Sequence, residues 1–269
     1  MTDWLEVERG DAPLVVAFPH GGTDFPAELT QAFVSPWLAR KDADWWIDDL
    51  YRFARDLGAT TIRMRLSRSV IDCNRDPSGV SLYPGQTTTG LCPTETFDGE
   101  PLYPCGDPDD AEIARRRADY FDPYHKALAR ELARLRERYG QVVLYDAHSI
   151  RSHVPRLFAG ELPQFNIGTN GRTTCAPALV DAVTAICAAS GHSHILDGRF
   201  RGGWTTRHYG RPADGIHAIQ MELAMRGYMA EPDQAGPDNW PSPIDTPPAI
   251  RPILHKILEA CLAFAKGMT

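Results

Sequence analysis

The sequence predicts an α/β fold in which a mixed, mostly parallel sheet lies between helices on both faces, a three-layer sandwich. Short apolar runs alternate along the chain with longer segments of helical periodicity, as expected for strands covered by helices. Of the 269 residues, 43% are hydrophobic and 23% are charged, an ordinary composition for a globular protein. The sequence contains no internal repeat and no clear boundary, so residues 1–269 are predicted to form a single domain.

The elements are predicted from apolar runs, β-forming residues and helical spacing. The segments predicted as strands are 14–18, 60–70 (one or two strands), 141–146, 194–196 and 216–223. The segments predicted as helices are 26–38, 45–57, 110–139, 177–189 and 250–266. Gly58 supplies a C-terminal stop for the second of these helices.

Long stretches between these elements are predicted to be irregular. Residues 76–109 are rich in proline, glycine and threonine and show little periodicity. Loops of this length are uncommon within compact domains and often form lids or binding walls, so we expect this loop to wall a pocket. The other irregular stretches are 151–174, a glycine-rich crossing at 202–215 and a proline-rich linker at 232–248.

Charge and cysteine usage exclude several classes of protein. Lysine and arginine total 28 against 35 acidic residues, and the net charge of -7 argues against a generally basic nucleic-acid-binding protein. No apolar run is long enough to cross a bilayer, and residues 1–11 lack the pattern of a signal peptide. The six cysteines form no CxxC pair, which favours reduced thiols in a cytoplasmic protein.

Side chains with catalytic potential lie at or just beyond predicted strands. His20 and His148 each follow a buried apolar run, Asn74 and Arg75 follow a third, and Glu222 lies near the end of a fourth. Ligands of open α/β sheets bind beyond the carboxyl ends of the strands, so we expect these side chains to converge. Two imidazoles and one carboxylate, with one coordination position left open, are typical of a catalytic zinc site.

The pattern leaves the carboxylate ligand open. Asp44 and Asp48 stand at the start of the 45–57 segment, and Asp24 lies four residues after His20. Asp44 and Asp48 suit the N-terminus of a helix equally well, because a carboxylate there accepts backbone N–H groups. The glycine-rich residues 198–210 contain neither a P-loop nor a dinucleotide-binding fingerprint, and Ser149 has no nucleophile-elbow motif around it.

Eight short motifs occur in one order between residues 14 and 228: Pro19-His20-Gly21-Gly22-Thr23, Asp42-Ala43-Asp44-Trp45, residues 67–76 around Asp72-Cys73-Asn74-Arg75, Ser81-Leu82-Tyr83-Pro84-Gly85, Tyr145-Asp146-Ala147-His148-Ser149, Gly168-Thr169-Asn170, Thr206-Arg207-His208-Tyr209-Gly210 and Gln220-Met221-Glu222-Leu223. Together they resemble the N-formylglutamate amidohydrolase (deformylase) family. That family is similar to the zinc carboxypeptidases and aspartoacylases, which share a mixed eight-stranded sheet with helices on both faces.

The resemblance implies a metal site built on one zinc ion. His20 and His148 match the two histidine ligands. In the carboxypeptidase relatives the carboxylate ligand lies three residues after the first histidine, where this chain has Thr23. The resemblance therefore favours Asp44, which lies in the Asp-Trp motif, with Asp48 as the second candidate.

The resemblance also implies the reaction and the residues that bind the substrate. The expected activity is hydrolysis of N-formyl-L-glutamate, a small anionic N-acyl amino acid, to formate and L-glutamate in histidine breakdown. Glu222 matches the catalytic glutamate, and Asn74 and Arg75 match a carboxylate-binding pair. Arg68 and Arg207 are further candidates for binding the anion.

Two alternatives remain open at this point. The same residues would serve a hydrolase that acts on another N-acyl amino acid or formyl amide, because substrate choice depends on pocket shape. A different class is a non-catalytic protein that binds a small anion on the same fold. The two histidines together with Glu222 favour an enzyme.

Overall fold

A seven-stranded mixed sheet crosses the protein in a computed structural model that describes residues 4–82, 85 and 88–268. Its strands are β1 (Leu5–Glu8), β2 (Leu14–Phe18), β3 (Thr60–Met64), β4 (Val142–Ile150), β5 (Phe165–Gly168), β6 (His194–Leu196) and β7 (Ile216–Ala224). Their order across the sheet is β1-β3-β2-β4-β7-β5-β6. The four central strands are parallel, and β1 and β5 run antiparallel to their inner neighbours. The mixed, mostly parallel sheet is confirmed, with seven strands in the described residues rather than eight.

Helices cover both faces of this sheet. They are α1 (Ile47–Leu50), α2 (Asp110–Arg116), α3 (Asp122–Tyr139), α4 (Pro177–Ala189), α5 (Trp204–Tyr209) and α6 (Arg251–Ala265). Helices α1, α4 and α6 pack against one face, and α2, α3 and α5 pack against the other. None of the helices in the described part of the chain combines the length and apolar character that a membrane crossing requires.

The strands β2, β4 and β7 are buried along their whole length because helices cover both faces of the sheet. In β4, Val143 and Tyr145 contribute to the core beneath α4 and α6, whereas Val142 and Leu144 contribute to the core beneath α3. Successive side chains of a strand point to opposite faces, so a strand covered on both sides lacks the alternation of polar and apolar residues seen in half-exposed strands. The continuous apolar runs at β2 and at the start of β4 therefore predicted these two strands.

Several predicted elements match the structure, and others are broken for local reasons. The bounds of β2, β6 and α4 agree with the predictions, and α6 ends within one residue of its predicted end. The predicted helix at 26–38 is wrong: the segment holds only a 3-10 turn at Ala27–Leu29 and the start of another at Leu38–Arg40. Pro36 explains this result, because proline lacks an N–H group and disfavours helical geometry in the residue before it.

The predicted helices at 45–57 and 110–139 are both interrupted. Trp46 adopts a left-handed conformation with φ of 60°, so α1 begins only after it. A π-helical turn at Arg117–Phe121 joins α2 to α3 immediately before Pro123. The ring of Pro123 cannot donate to the helix ladder, and a local π turn accommodates the missing hydrogen bond.

The sequence patterns missed three short elements. These are β1, β5 and α5, and they lie at the sheet edge or within stretches that were predicted to be irregular. The 76–109 segment contains no helix or longer strand in its described residues, only the isolated bridge between Glu95 and Pro101. Residues 83, 84, 86 and 87, which include part of the Ser81–Gly85 motif, lie outside the described residues.

Candidate active site

Two neighbouring parallel strands carry the predicted histidine and glutamate side by side. The pairing of β4 with β7 sets His148 opposite Glu222 and Asp146 opposite Gln220. Residues two apart on a strand share a face, so all four side chains lie on the face covered by α3 and α5. Because β4 extends to Ile150, His148 lies within the strand rather than beyond its end, as the shorter predicted strand had implied.

His20, Asp44 and His148 form a buried cluster whose ligand atoms face one another. The Nδ1 atoms of the two histidines are 3.2 Å apart. Asp44 Oδ2 lies 3.2 Å from His148 Nδ1 and 3.8 Å from His20 Nδ1. Tetrahedral bonds of roughly 2.0–2.1 Å to zinc place neighbouring ligand atoms about 3.3 Å apart. The donor set and its spacing therefore fit a metal ion, and this cluster could hold one.

Backbone contacts explain why Asp44 occupies this position. Its N–H group donates to the carbonyl oxygen of His20 at 3.0 Å, which joins the two loops. Its Oδ2 atom accepts a hydrogen bond from the backbone N–H of Ser149 at 3.1 Å. Asp48 and Asp24, the two alternatives, each pair with a surface arginine and lie outside the cluster.

Two further carboxylates hold the outer nitrogens of the histidine rings. His20 Nε2 lies 2.6 Å from Asp72 Oδ1, and His148 Nε2 forms an ion-pair contact of 3.0 Å with Asp146 Oδ1. A carboxylate at Nε2 keeps the proton on that nitrogen and leaves the Nδ1 lone pair for the cluster. Three acceptor atoms this close need a proton or a metal cation between them.

The charge state of the cluster without metal agrees with that requirement. The pKa of His148 lies well above its usual value, because the carboxylates of Asp146 and Asp44 outweigh the effect of burial. Burial lowers the pKa of His20 to about 4, and the Arg68 guanidinium adds to this effect. His148 is thus protonated on both ring nitrogens, and a metal ion would replace its Nδ1 proton on binding.

Glu222 is buried beside the cluster and makes few polar contacts. The amide nitrogen of Gln220 donates to Glu222 Oε2 at 3.3 Å. The pKa of Glu222 rises to about 8 because burial disfavours its charged form, with His148 opposing the rise and Asp44 adding to it. A carboxyl group that titrates near neutral pH can both accept and donate a proton during turnover.

Arg68 and Asn74 are bound tightly to the groups around the cluster. Arg68 Nη2 donates to Asp72 Oδ2 at 2.6 Å, and its Nη1 lies 3.6 Å from Asp44 Oδ1. Asn74 Oδ1 accepts a hydrogen bond from the backbone N–H of Thr205 at 2.8 Å. Its Nδ2 atom lies 3.0 Å from His148 Nε2. Both side chains line the pocket, yet their polar groups already contact the cluster residues and the partners of those residues.

The other two predicted anion-binding arginines differ in position. Arg75 lines the pocket and donates through Nε and Nη2 to the carbonyl and hydroxyl oxygens of Thr89, both at 3.0 Å. Arg207 is not among the residues that line the pocket, and it donates to the carbonyl oxygens of Gly202 and Leu82. A role for Arg207 in substrate binding stays a prediction.

The pocket extends outward from the cluster and has one apolar wall, with arginine side chains also in its lining. Its apolar wall consists of Phe97, Ile150, Leu157 and Phe200. The 76–109 segment forms one side of the pocket through Thr88, Thr89 and residues 95–97, as expected for a wall. Sequence reasoning gave no role to Asp72, Asp146, Arg156 or Arg199. Only the spacing of Asp146, two residues before His148 and so on the same face, offered a signal.

The model of the N-formylglutamate amidohydrolase family matches residues 12–229. This span is well over half of the chain and contains the whole cluster together with Glu222. The chain belongs to the N-formylglutamate amidohydrolase family. The motif resemblance found in the sequence is thereby confirmed.

Two relatives and two solved structures are similar to this chain over nearly the full length. The N-formylglutamate deformylase of Pseudomonas aeruginosa is 44% identical over 268 residues, covering 99% of this chain and 98% of the relative. The N-formylglutamate deformylase of Pseudomonas putida is 44% identical over 262 residues, covering 97% and 96%. The crystal structure of N-formylglutamate amidohydrolase from Ralstonia eutropha JMP134 has a TM-score of 0.78 at 25% identity, covering 98% and 97%. The gene product Atu2144 of Agrobacterium tumefaciens shares the fold, with a TM-score of 0.71 at 20% identity, covering 97% and 95%.

Proposed function

We propose that this member of the N-formylglutamate amidohydrolase family hydrolyses N-formyl-L-glutamate to formate and L-glutamate, with zinc held by His20, Asp44 and His148. The observation that carries the proposal is the triangle of three buried acceptor atoms beside the Glu222 carboxyl group in an arginine-bearing pocket. The full-length similarity to two N-formylglutamate deformylases supports the choice of substrate.

Glu222 is the proposed general base and acid. The chemistry that zinc supplies at such a donor set is Lewis acidity, which makes water acidic enough to provide hydroxide near pH 7. Glu222 accepts the proton of the attacking water as the new bond to the formyl carbon forms. It then delivers that proton to the amide nitrogen as the carbon–nitrogen bond breaks, so glutamate leaves with a neutral amine.

The surrounding residues position these groups. Asp72 and Asp146 fix the rings of the two histidines, so that each presents Nδ1 to the cluster. Arg68 balances the charge of Asp72 and Asp44. Arg75, at the edge of the cluster, is the proposed partner for the substrate carboxylate next to the scissile amide, because guanidinium and carboxylate groups pair through parallel hydrogen bonds.

Two finer assignments accompany the proposal. The six cysteines are free and five are buried, which supports reduced thiols and a cytoplasmic location. The reaction itself supports a place in histidine breakdown, as the family resemblance implies.

The decisive experiment measures formate release and metal content together. Wild-type protein loaded with zinc should release formate from N-formyl-L-glutamate, and removal of the metal by a chelator should abolish this activity. Glu222→Gln should keep the metal and lower kcat by roughly 10²- to 10⁴-fold, the usual contribution of a general base. Near-normal turnover in this variant would exclude that role.

Glu259→Gln provides the matched control. Glu259 is an exposed residue of α6 that pairs with His255 on the next turn, so the same chemical change there should leave turnover unaltered. Measuring the hydrolysis of N-acetyl-L-glutamate and N-formyl-L-methionine as well tests the alternative that the enzyme acts on another N-acyl amino acid. Faster hydrolysis of either compound than of N-formyl-L-glutamate would identify a different N-acyl amino acid as the substrate.

A further inference from the structure

The pocket carries positive charge at two depths. Arg68 and Arg75 lie beside the cluster, and Arg68 is almost fully buried against its two carboxylate partners. Arg156 and Arg199 line the same pocket farther out, where Arg156 is 35% exposed. N-formylglutamate carries two carboxylates, one beside the scissile amide and one at the end of its side chain. Two cationic positions at different depths match these two groups.

The apolar wall has the length that the glutamate side chain needs. Ile150 shares the face of β4 with His148 and lies two residues farther along, a step of about 6.6–6.8 Å. The carboxylate carbons of an extended glutamate are roughly 5 Å apart, since four bonds of about 1.5 Å join them. Substrate methylenes that pack on Ile150 and Phe97 would bring the distal carboxylate to the mouth of the pocket.

Arg156 is held at that mouth by an internal carboxylate. Its guanidinium forms an ion pair with Glu95, and its Nη1 donates to the carbonyl oxygen of Thr96 at 3.3 Å. The side chain passes over Gly99, where a Cβ atom would lie 3.4 Å from Arg156 Nε. Glu95 is 39% exposed, so the carboxylate can turn into solvent at little cost.

We infer that Arg156 binds the side-chain carboxylate of the substrate, which replaces Glu95 as its partner, and that this exchange selects N-formyl amino acids with an acidic side chain. The inference rests on the proposed deformylase activity. Glu95 keeps the guanidinium paired and positioned between turnovers. Uncharged side chains cannot displace it, so they gain no charge-assisted hydrogen bond at this position.

Paired substrates test the inference. Wild-type protein and Arg156→Gln are compared on N-formyl-L-glutamate and on N-formyl-L-glutamine, which has the same shape without the distal charge. Arg156→Gln should lower kcat/KM for N-formyl-L-glutamate roughly 10- to 100-fold, mainly through KM, the value of a charge-assisted hydrogen bond. The same variant should change kcat/KM for N-formyl-L-glutamine less than threefold, which also shows that it is folded.

Two further variants complete the test. Glu95→Gln removes the competing carboxylate and should lower KM for N-formyl-L-glutamate severalfold. Arg138→Gln is the matched control, because Arg138 is an exposed α3 residue that pairs with Asp11 outside the pocket, and it should leave both substrates unaffected.

Equal losses on both substrates in Arg156→Gln, or no loss on either, would overturn the role of Arg156. A higher KM in Glu95→Gln would overturn the exchange of partners. Failure of the proposed function gives a different result, in which wild-type protein releases formate from neither compound.

Discussion

Replacing Asp72 by asparagine tests the carboxylates that support the proposed metal site. Asp72 is fully buried, and its Oδ1 atom accepts from His20 Nε2 at 2.6 Å and from the backbone N–H of Asn74 at 2.8 Å. Its Oδ2 atom accepts from Arg68 Nη2 at 2.6 Å. An asparagine carbonyl can keep the first two contacts, but its NH₂ group then faces the donor of Arg68.

The expected magnitude follows from these contacts. Breaking a buried ion pair by removing one partner costs about 3–5 kcal/mol. Arg68 keeps Asp44 at 3.6 Å as a second partner, so we expect a loss near the lower end, about 3 kcal/mol in the free energy of unfolding. Weaker polarisation of His20 should also reduce zinc affinity by roughly 10- to 100-fold, as for other carboxylates behind a histidine ligand.

Urea unfolding of the metal-free protein and competition with a chromophoric chelator for zinc measure the two effects. Asp48→Asn is the matched control, because Asp48 is part of a half-exposed pair with Arg63 and should cost less than about 1 kcal/mol. If Asp72→Asn unfolds within 1 kcal/mol of the wild type and binds zinc within about threefold, the supporting role of Asp72 is refuted.

Two further predictions concern pH and the pocket wall. Burial lowers the pKa of His125 to about 3, so the neutral ring stabilises the fold fully above its unfolded value of 6.5, and this contribution is lost as the pH falls below 6.5. Urea unfolding should therefore show that this group makes the protein about 2 kcal/mol less stable at pH 5 than at pH 8. This pH-dependent loss should be absent in His125→Gln and retained in His255→Gln, where the replaced histidine is exposed. Equal dependence of stability on pH in the wild type and His125→Gln would contradict the prediction. A Cβ atom at Gly203 would overlap the Asn74 amide, so Gly203→Ala should lower kcat/KM at least about 10-fold by displacing it. Gly90→Ala is the matched control, because the added atom has room there and kcat/KM should not change. Equal activity of the two variants would count against a positioning role for Asn74.

The fold could be predicted where a local sequence pattern indicates which side chains are buried. The apolar runs at β2 and β4 and the periodicity of α4 record which side chains face the core, because each pattern depends only on residues close in the chain. The breaks could not be predicted in the same way. Trp46 takes its left-handed conformation within tertiary contacts, including a hydrogen bond from its indole nitrogen to the carbonyl oxygen of Ser242.

By itself, the sequence determined the α/β class, the association of two histidines with the carboxyl ends of core strands and the family motifs. The residue pattern left the carboxylate open and the motif resemblance favoured Asp44, but only the tertiary structure shows which carboxylate lies beside those histidines. Asp44, Asp48 and Asp24 are chemically alike and close in sequence, and only the hydrogen bonds of Asp44 to the His20 and Ser149 backbones bring it to the cluster.

The same holds for the residues behind and beyond the cluster. Asp72 meets His20 across 52 residues of chain, and Arg156 meets Glu95 across 61. Local patterns report whether a side chain is buried, but the partner of a charged group depends on which loops the folded sheet brings together. The supporting carboxylate of Asp72 and the arginine at the mouth of the pocket therefore became visible only in the folded protein.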